Sequence, residues 1–76
     1  MEFDYSNLKG LLASKGITQE KLAKEIGMTQ ATMSNKINGK AFFAQCEIRA
    51  MISFLDIPME LVGEYFFTFK YSKTNI

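Results

Sequence analysis

The stretch Ile17 to Lys40, ITQEKLAKEIGMTQATMSNKINGK, decides the fold. It reads as two short amphipathic helices joined by a tight turn. The first runs from about Thr18 to Ile26 and the second from about Gln30 to Ile37. Thr18 and Thr29 are placed as N-caps, each with a hydroxyl that can accept an orphan backbone N–H. The residue before each cap is apolar, Ile17 and Met28, and so is the fourth helical residue, Leu22 and Met33. That is the hydrophobic staple, twice in succession. Gly27 sits where the chain must reverse within a few residues and a left-handed backbone is cheap only for glycine. Ala23, one turn earlier, is small enough to let the second helix cross closely over the first.

The second helix indicates what the pair is for. At 3.6 residues per turn, Met33 and Ile37 share the side that faces the core. The opposite side carries Ala31, Thr32 and Asn35, flanked by Ser34 and Lys36, with Gln30 projecting from the helix start. This face is short, polar and almost uncharged, whereas an ordinary solvated face is richer in Glu and Lys. Short amides and hydroxyls are the side chains that reach base edges, with Gln or Asn pairing bidentately to adenine. A helix-turn-helix that sets this helix in the major groove of double-stranded DNA is therefore the leading reading.

The same stretch resembles the Cro/repressor (XRE-type) helix-turn-helix family of phage and bacterial regulators. The likeness is carried by Thr18-Gln19, Leu22-Ala23, Ile26-Gly27, Thr29-Gln30, Ile37 and Asn38-Gly39-Lys40, and it spans roughly residues 7 to 66. It implies that Gln19 contacts the DNA backbone and supports Gln30, which reads a base. It places further base contacts at Ala31, Ser34 and Asn35, and phosphate contacts at Asn38 and Lys40. Gln45, at the start of the next helix, is a further candidate for phosphate. With Thr29, Thr32 and Lys36 these residues form the candidate DNA-binding set.

The whole chain fits a small binding module. Its 76 residues make one domain with room for about five short helices and a single core. No run approaches the ~18 apolar residues of a membrane span, and the opening MEFDYSNLKG is too polar for a signal peptide. A lone cysteine, Cys46, suits a reducing compartment, so a cytoplasmic location is expected. Cys46 itself reads as a small core or boundary residue. The absence of histidine removes the commonest general base and metal ligand. There is no Gly-rich phosphate loop and no metal-spaced Cys/His set, so no enzyme activity, cofactor, metal or small-molecule ligand is expected.

A net charge of +1 is low for a nucleic-acid binder. Its distribution is more favourable. Lys21, Lys24, Lys36 and Lys40 against Glu20 and Glu25 leave the central unit at +2, and the rest of the chain slightly negative. Helix N-termini can add phosphate contacts without side-chain charge. A single copy would still bind weakly, which argues for a dimer.

Outward from the centre, Leu8, Leu11 and Leu12 mark a first helix from about Asp4–Ser6 to Ser14, stopped by Gly16. Gly10 within it is either tolerated or allows a close approach. Phe3 and Tyr5 read as a lid on the core. After the Asn38-Gly39-Lys40 turn, at least one of Phe42 and Phe43 should anchor the loop. A fourth helix begins near Ala44 or Gln45, although Ala44 lacks a capping side chain. Its stripe is Ile48, Met51, Ile52 and Leu55. Pro58 stops it and opens a fifth helix over about Met59 to Tyr65. In the tail, Phe67, Phe69 and Tyr71 alternate with Thr68 and Lys70, a strand signal. Tyr65 to Tyr71 carries more aromatic surface than one small core needs, which points to a segment packed partly on the domain and partly on a second copy; the alternative is that Phe66 and Phe67 cap the monomer core and the rest is a loose tail.

The expected architecture is all-α: a five-helix, lambda-repressor-like helix-turn-helix domain over residues 1–66. A tail over 67–76, a short strand or an extended segment, would carry dimerisation. The expected function is sequence-specific binding of double-stranded DNA as a phage-type transcriptional repressor, dimeric on its operator. The alternative is a protein-interaction module on the same fold, an antitoxin or anti-regulator, without specific DNA readout.

Overall fold

Left-handed residues at the ends of its helices turn this chain back on itself. The computed structural model describes residues 3–69. Its helices are α1 Ser6–Lys15, α2 Gln19–Ile26, α3 Gln30–Ile37, α4 Gln45–Leu55 and α5 Val62–Phe66, with a 3-10 turn at Met59–Leu61 before the last. Gly16 ends α1 at φ 68° and Gly27 ends α2 at φ 88°. In each case the glycine's N–H bonds back into the last turn, to Ala13 and to Ala23 respectively.

The helix starts follow equally local chemistry. Thr18 Oγ1 accepts from the Lys21 N–H at 3.0 Å, and Thr29 Oγ1 from the Thr32 N–H at 3.1 Å. At α1 the Asp4 carboxylate accepts from the Ser6 N–H at 2.9 Å, a cap supplied from one residue further out. At α4 the cap residue is Ala44, which has no acceptor. Glu47 compensates by accepting the Ala44 N–H at 2.8 Å from the third helical position. That is the glutamate half of a capping box.

One core results. Leu8 and Leu12 from α1, Leu22 and Ala23 from α2, Met33 and Ile37 from α3, and Met51 and Leu55 from α4 are all buried, with Tyr5, Phe43, Ile57 and Phe66 closing it. Ile17 and Met28, the outer halves of the two staples, pack against it half-buried. The five-helix, lambda-repressor-like arrangement is thus the expected one, and α2 and α3 pack closely against each other. No helix among the described residues is long and apolar enough to cross a membrane.

Several local expectations change. The chain leaves α4 at Asp56, which takes the left-handed conformation itself at φ 59°, two residues before Pro58. Cys46 is exposed rather than packed. Two residues before Ile48, it lies about 200° round the helix from the core stripe. Gly10 permits no close approach, since a Cβ there would meet nothing within 4 Å. The fifth helix is split into a 3-10 turn and α5, which runs on to Phe66. Of the strand signal over Phe67 to Tyr71, only the part up to Phe69 lies within the described residues, and no continuous strand forms there. Within the described residues it shrinks to one antiparallel bridge, Phe3 with Phe69, beside an Asp4 N–H to Thr68 C=O bond of 2.6 Å. This bridge also ties the start of the 67–76 tail to the domain. Lys70 and Tyr71 lie outside the described residues.

Candidate nucleic-acid interface

The proposed groove-facing surface is built by α3. Because Met33 and Ile37 are buried in the core, the opposite side of the helix faces outward. Gln30, Ala31 and Asn35 are exposed there. The Gln30 and Asn35 side-chain amides make no hydrogen bond to any other described residue, so they are available. Thr32 and Ser34 are half-buried. Thr32 Oγ1 accepts from the Thr29 hydroxyl at 2.9 Å, which stiffens the first turn of α3 and keeps Thr29 occupied as its cap.

The charged and amide residues at the far end of α3 are engaged by the protein itself. Lys36 Nζ donates to both carboxylate oxygens of Glu47, at 2.7 and 2.9 Å. Asn38 Oδ1 accepts from Lys9 Nζ at 2.9 Å, and its Nδ2 points to Ser34 Oγ at 3.4 Å. Lys40 is exposed. Its backbone N–H returns to the Asn35 carbonyl at 2.9 Å across Gly39, which sits at φ 82°. A side chain at Gly39 would also press on the Phe3 carbonyl at 3.3 Å. Gln19 is half-buried in the first turn of α2, and Gln45 is exposed in the first turn of α4. No hydrogen bond among the described residues links Gln19 to Gln30.

Two residues shape this surface that sequence reading passed over, Lys9 and Glu47. Lys9 carries no local signal of its pairing, because Asn38 lies 29 positions away. Glu47 did carry one: an acid three residues after a cap position that cannot cap itself. The hydrogen bond from Lys36 holds the Glu47 carboxyl below its ordinary range. The Ala44 N–H and the Lys36 charge add to this, and partial burial opposes it.

A second surface is aromatic. Phe42 is 70% exposed, Phe67 49% and Phe69 47%. Half-buried Phe3 joins them, stacked on Phe69 at 5.0 Å and edge-on to Phe42 and Phe67 at 5.9 and 6.0 Å. Phe43 turns inward instead, edge-on to Tyr5 at 5.3 Å. Burial pushes the Tyr5 hydroxyl above its usual range.

The fold and this surface define a small helix-turn-helix domain with an uncharged outward helix face and an adjoining aromatic cluster. Residues 1–69 match the family described as protein of unknown function DUF739, and the chain belongs to that family. Among solved structures it is similar to the solution structure of the modulator of repression (MOR) of the temperate bacteriophage TP901-1 from Lactococcus lactis. The two are 33% identical, the match covers 88% of this chain and 90% of that one, and the TM-score is 0.71. No match is found among curated proteins.

Proposed function

We propose that this protein is a small phage-type regulator of repression that reads double-stranded DNA with α3. It works in the cytoplasm as a binding protein rather than a catalyst. The observation that carries the reading is the outward face of α3, where Gln30, Ala31 and Asn35 are exposed on a helix whose other side is buried in the core through Met33 and Ile37. Gln30 and Asn35 are suited to base edges, and the methyls of Ala31 and Thr32 to thymine. Gln19, Lys40 and Gln45 lie at helix starts and in the following turn, where they suit phosphates. The similarity to a phage modulator of repression supports the regulatory setting. As a Cro/repressor-type protein it would act as a homodimer on a two-fold operator, with half-sites about one helical turn apart. The aromatic cluster of Phe3, Phe42, Phe67 and Phe69 is the proposed contact between copies.

A gel shift of labelled duplex DNA, selected from a random pool, tests the reading. Gln30→Ala should lose about 1 to 3 kcal/mol at preferred sites and little elsewhere. Equal binding to every sequence, unchanged by the variant, would leave only charge-driven association.

A second reading has specific support. Lys36 and Asn38 are occupied internally, net charge is only +1, and an aromatic surface stands open. These features suit a protein that modulates repression by docking on another protein. Binding to a regulator with no affinity for any duplex would favour it.

A further inference from the structure

Lys36 looks from its position like one more cation aimed at DNA, yet its geometry differs from that of its neighbours. Its side chain is only 16% exposed and that of Glu47 22%, against 57% and 39% for the i,i+4 pair Lys21–Glu25 at 3.3 Å. Lys36 lies in the last turn of α3 and Glu47 in the first turn of α4. Each therefore stands at the helix end whose dipole favours its charge. The same Glu47 carboxylate also accepts the Ala44 N–H. Three groups thus meet at one carboxylate: the end of α3, the end of the loop over residues 38–44, and the start of α4. That loop carries Asn38, Lys40 and exposed Phe42.

We propose that Lys36 is a positioning residue and not a phosphate ligand: through Glu47 it latches the loop over residues 38–44 and so sets where Asn38 and Lys40 stand beside α3. The role in DNA docking rests on the proposed function; the latch itself does not. Partly shielded pairs with bidentate geometry hold orientation better than solvated ones. A lysine already satisfied by both oxygens of a carboxylate would have to break those bonds to reach phosphate.

The test uses the full chain and has two arms. In the free protein, amide hydrogen exchange is followed at Lys40, whose N–H closes the turn onto the Asn35 carbonyl. Lys36→Met and Glu47→Gln should each speed that exchange about tenfold, the double variant no more than either, and Lys36→Arg should restore protection. Unchanged exchange in both single variants overturns the latch. In the second arm, duplex affinity is measured across a salt series. Lys40→Gln should reduce the slope of log affinity against log salt by about one. Lys36→Met should lower affinity at every salt concentration with the slope kept, and Lys36→Arg should recover it. A slope reduced by about one in Lys36→Met would make Lys36 a phosphate ligand and refute the proposal. If the unaltered protein binds no duplex, the proposed function fails while the exchange arm still decides the latch.

Discussion

Asp56 is the described residue outside glycine that occupies the left-handed backbone region, at φ 59°. An L-residue there costs roughly 1–2 kcal/mol through the clash of its Cβ with the following carbonyl, somewhat less for Asp and Asn. The strain is offset because Asp56 donates its N–H to the last turn of α4, while the Ile57 N–H bonds to the Ile52 carbonyl at 3.0 Å and Ile57 is buried. Asp56→Gly keeps the turn and removes the clash, against some loss of order in a freer unfolded chain. It is expected to raise unfolding stability by about 0.5–1 kcal/mol, read as a higher urea midpoint with unchanged slope. Gly16 and Gly27 already use the residue type this geometry prefers, which is why the ends of α1 and α2 were legible from the sequence and the end of α4 was not. Aspartate gave no comparable stop signal, so Pro58 drew the boundary two residues late.

Among the helices, those with self-contained signals were read correctly. Thr18, Thr29, Gly27 and the two staples specify α2 and α3 without help from distant residues. Elements that depend on partners far along the chain were less legible. The alternation after Tyr65 matches a strand, but among the described residues it meets only Phe3, in a single bridge, and Phe66 is needed in the core as the end of α5. Likewise, the exposure of Gln30 and Asn35 followed from helical phase, whereas the internal capture of Lys36 and Asn38 depended on Glu47 and Lys9, which only the fold brings near. The Lys36–Glu47 pair also has a pH signature. Glu47 titrates lower in the folded protein than when unfolded. Its contribution is therefore complete above the unfolded carboxyl range and disappears as pH falls through the folded value. Chemical denaturation from pH 6 downward, to about pH 3, should show stability falling more for the unaltered protein than for Glu47→Gln.

For the molecule as a whole, the two surfaces are independent of the core in different degrees. The α3 face is fixed because the core residues behind it are; the aromatic cluster is fixed by its own ring contacts and by the Phe3–Phe69 bridge. Phe42 is the most exposed ring of the cluster, so its removal costs the monomer little. Three exposed phenylalanines gathered round the ring of Phe3 form the kind of apolar patch that marks an interaction site. If this cluster joins two copies, sedimentation of the unaltered protein should give a dimer at tens of micromolar or on DNA, and Phe42→Ser should give a folded monomer. A strict monomer in both cases, on and off DNA, would end the homodimer reading.

Where Phe3 meets Phe69, the described stretch of chain closes almost into a loop. A closed loop has no privileged starting point, so the packing responds to which coils lie side by side and not to the order in which translation delivers them. Splicing the backbone across that junction and opening it at the exposed bend around Gly16 should leave the same tertiary neighbours in place.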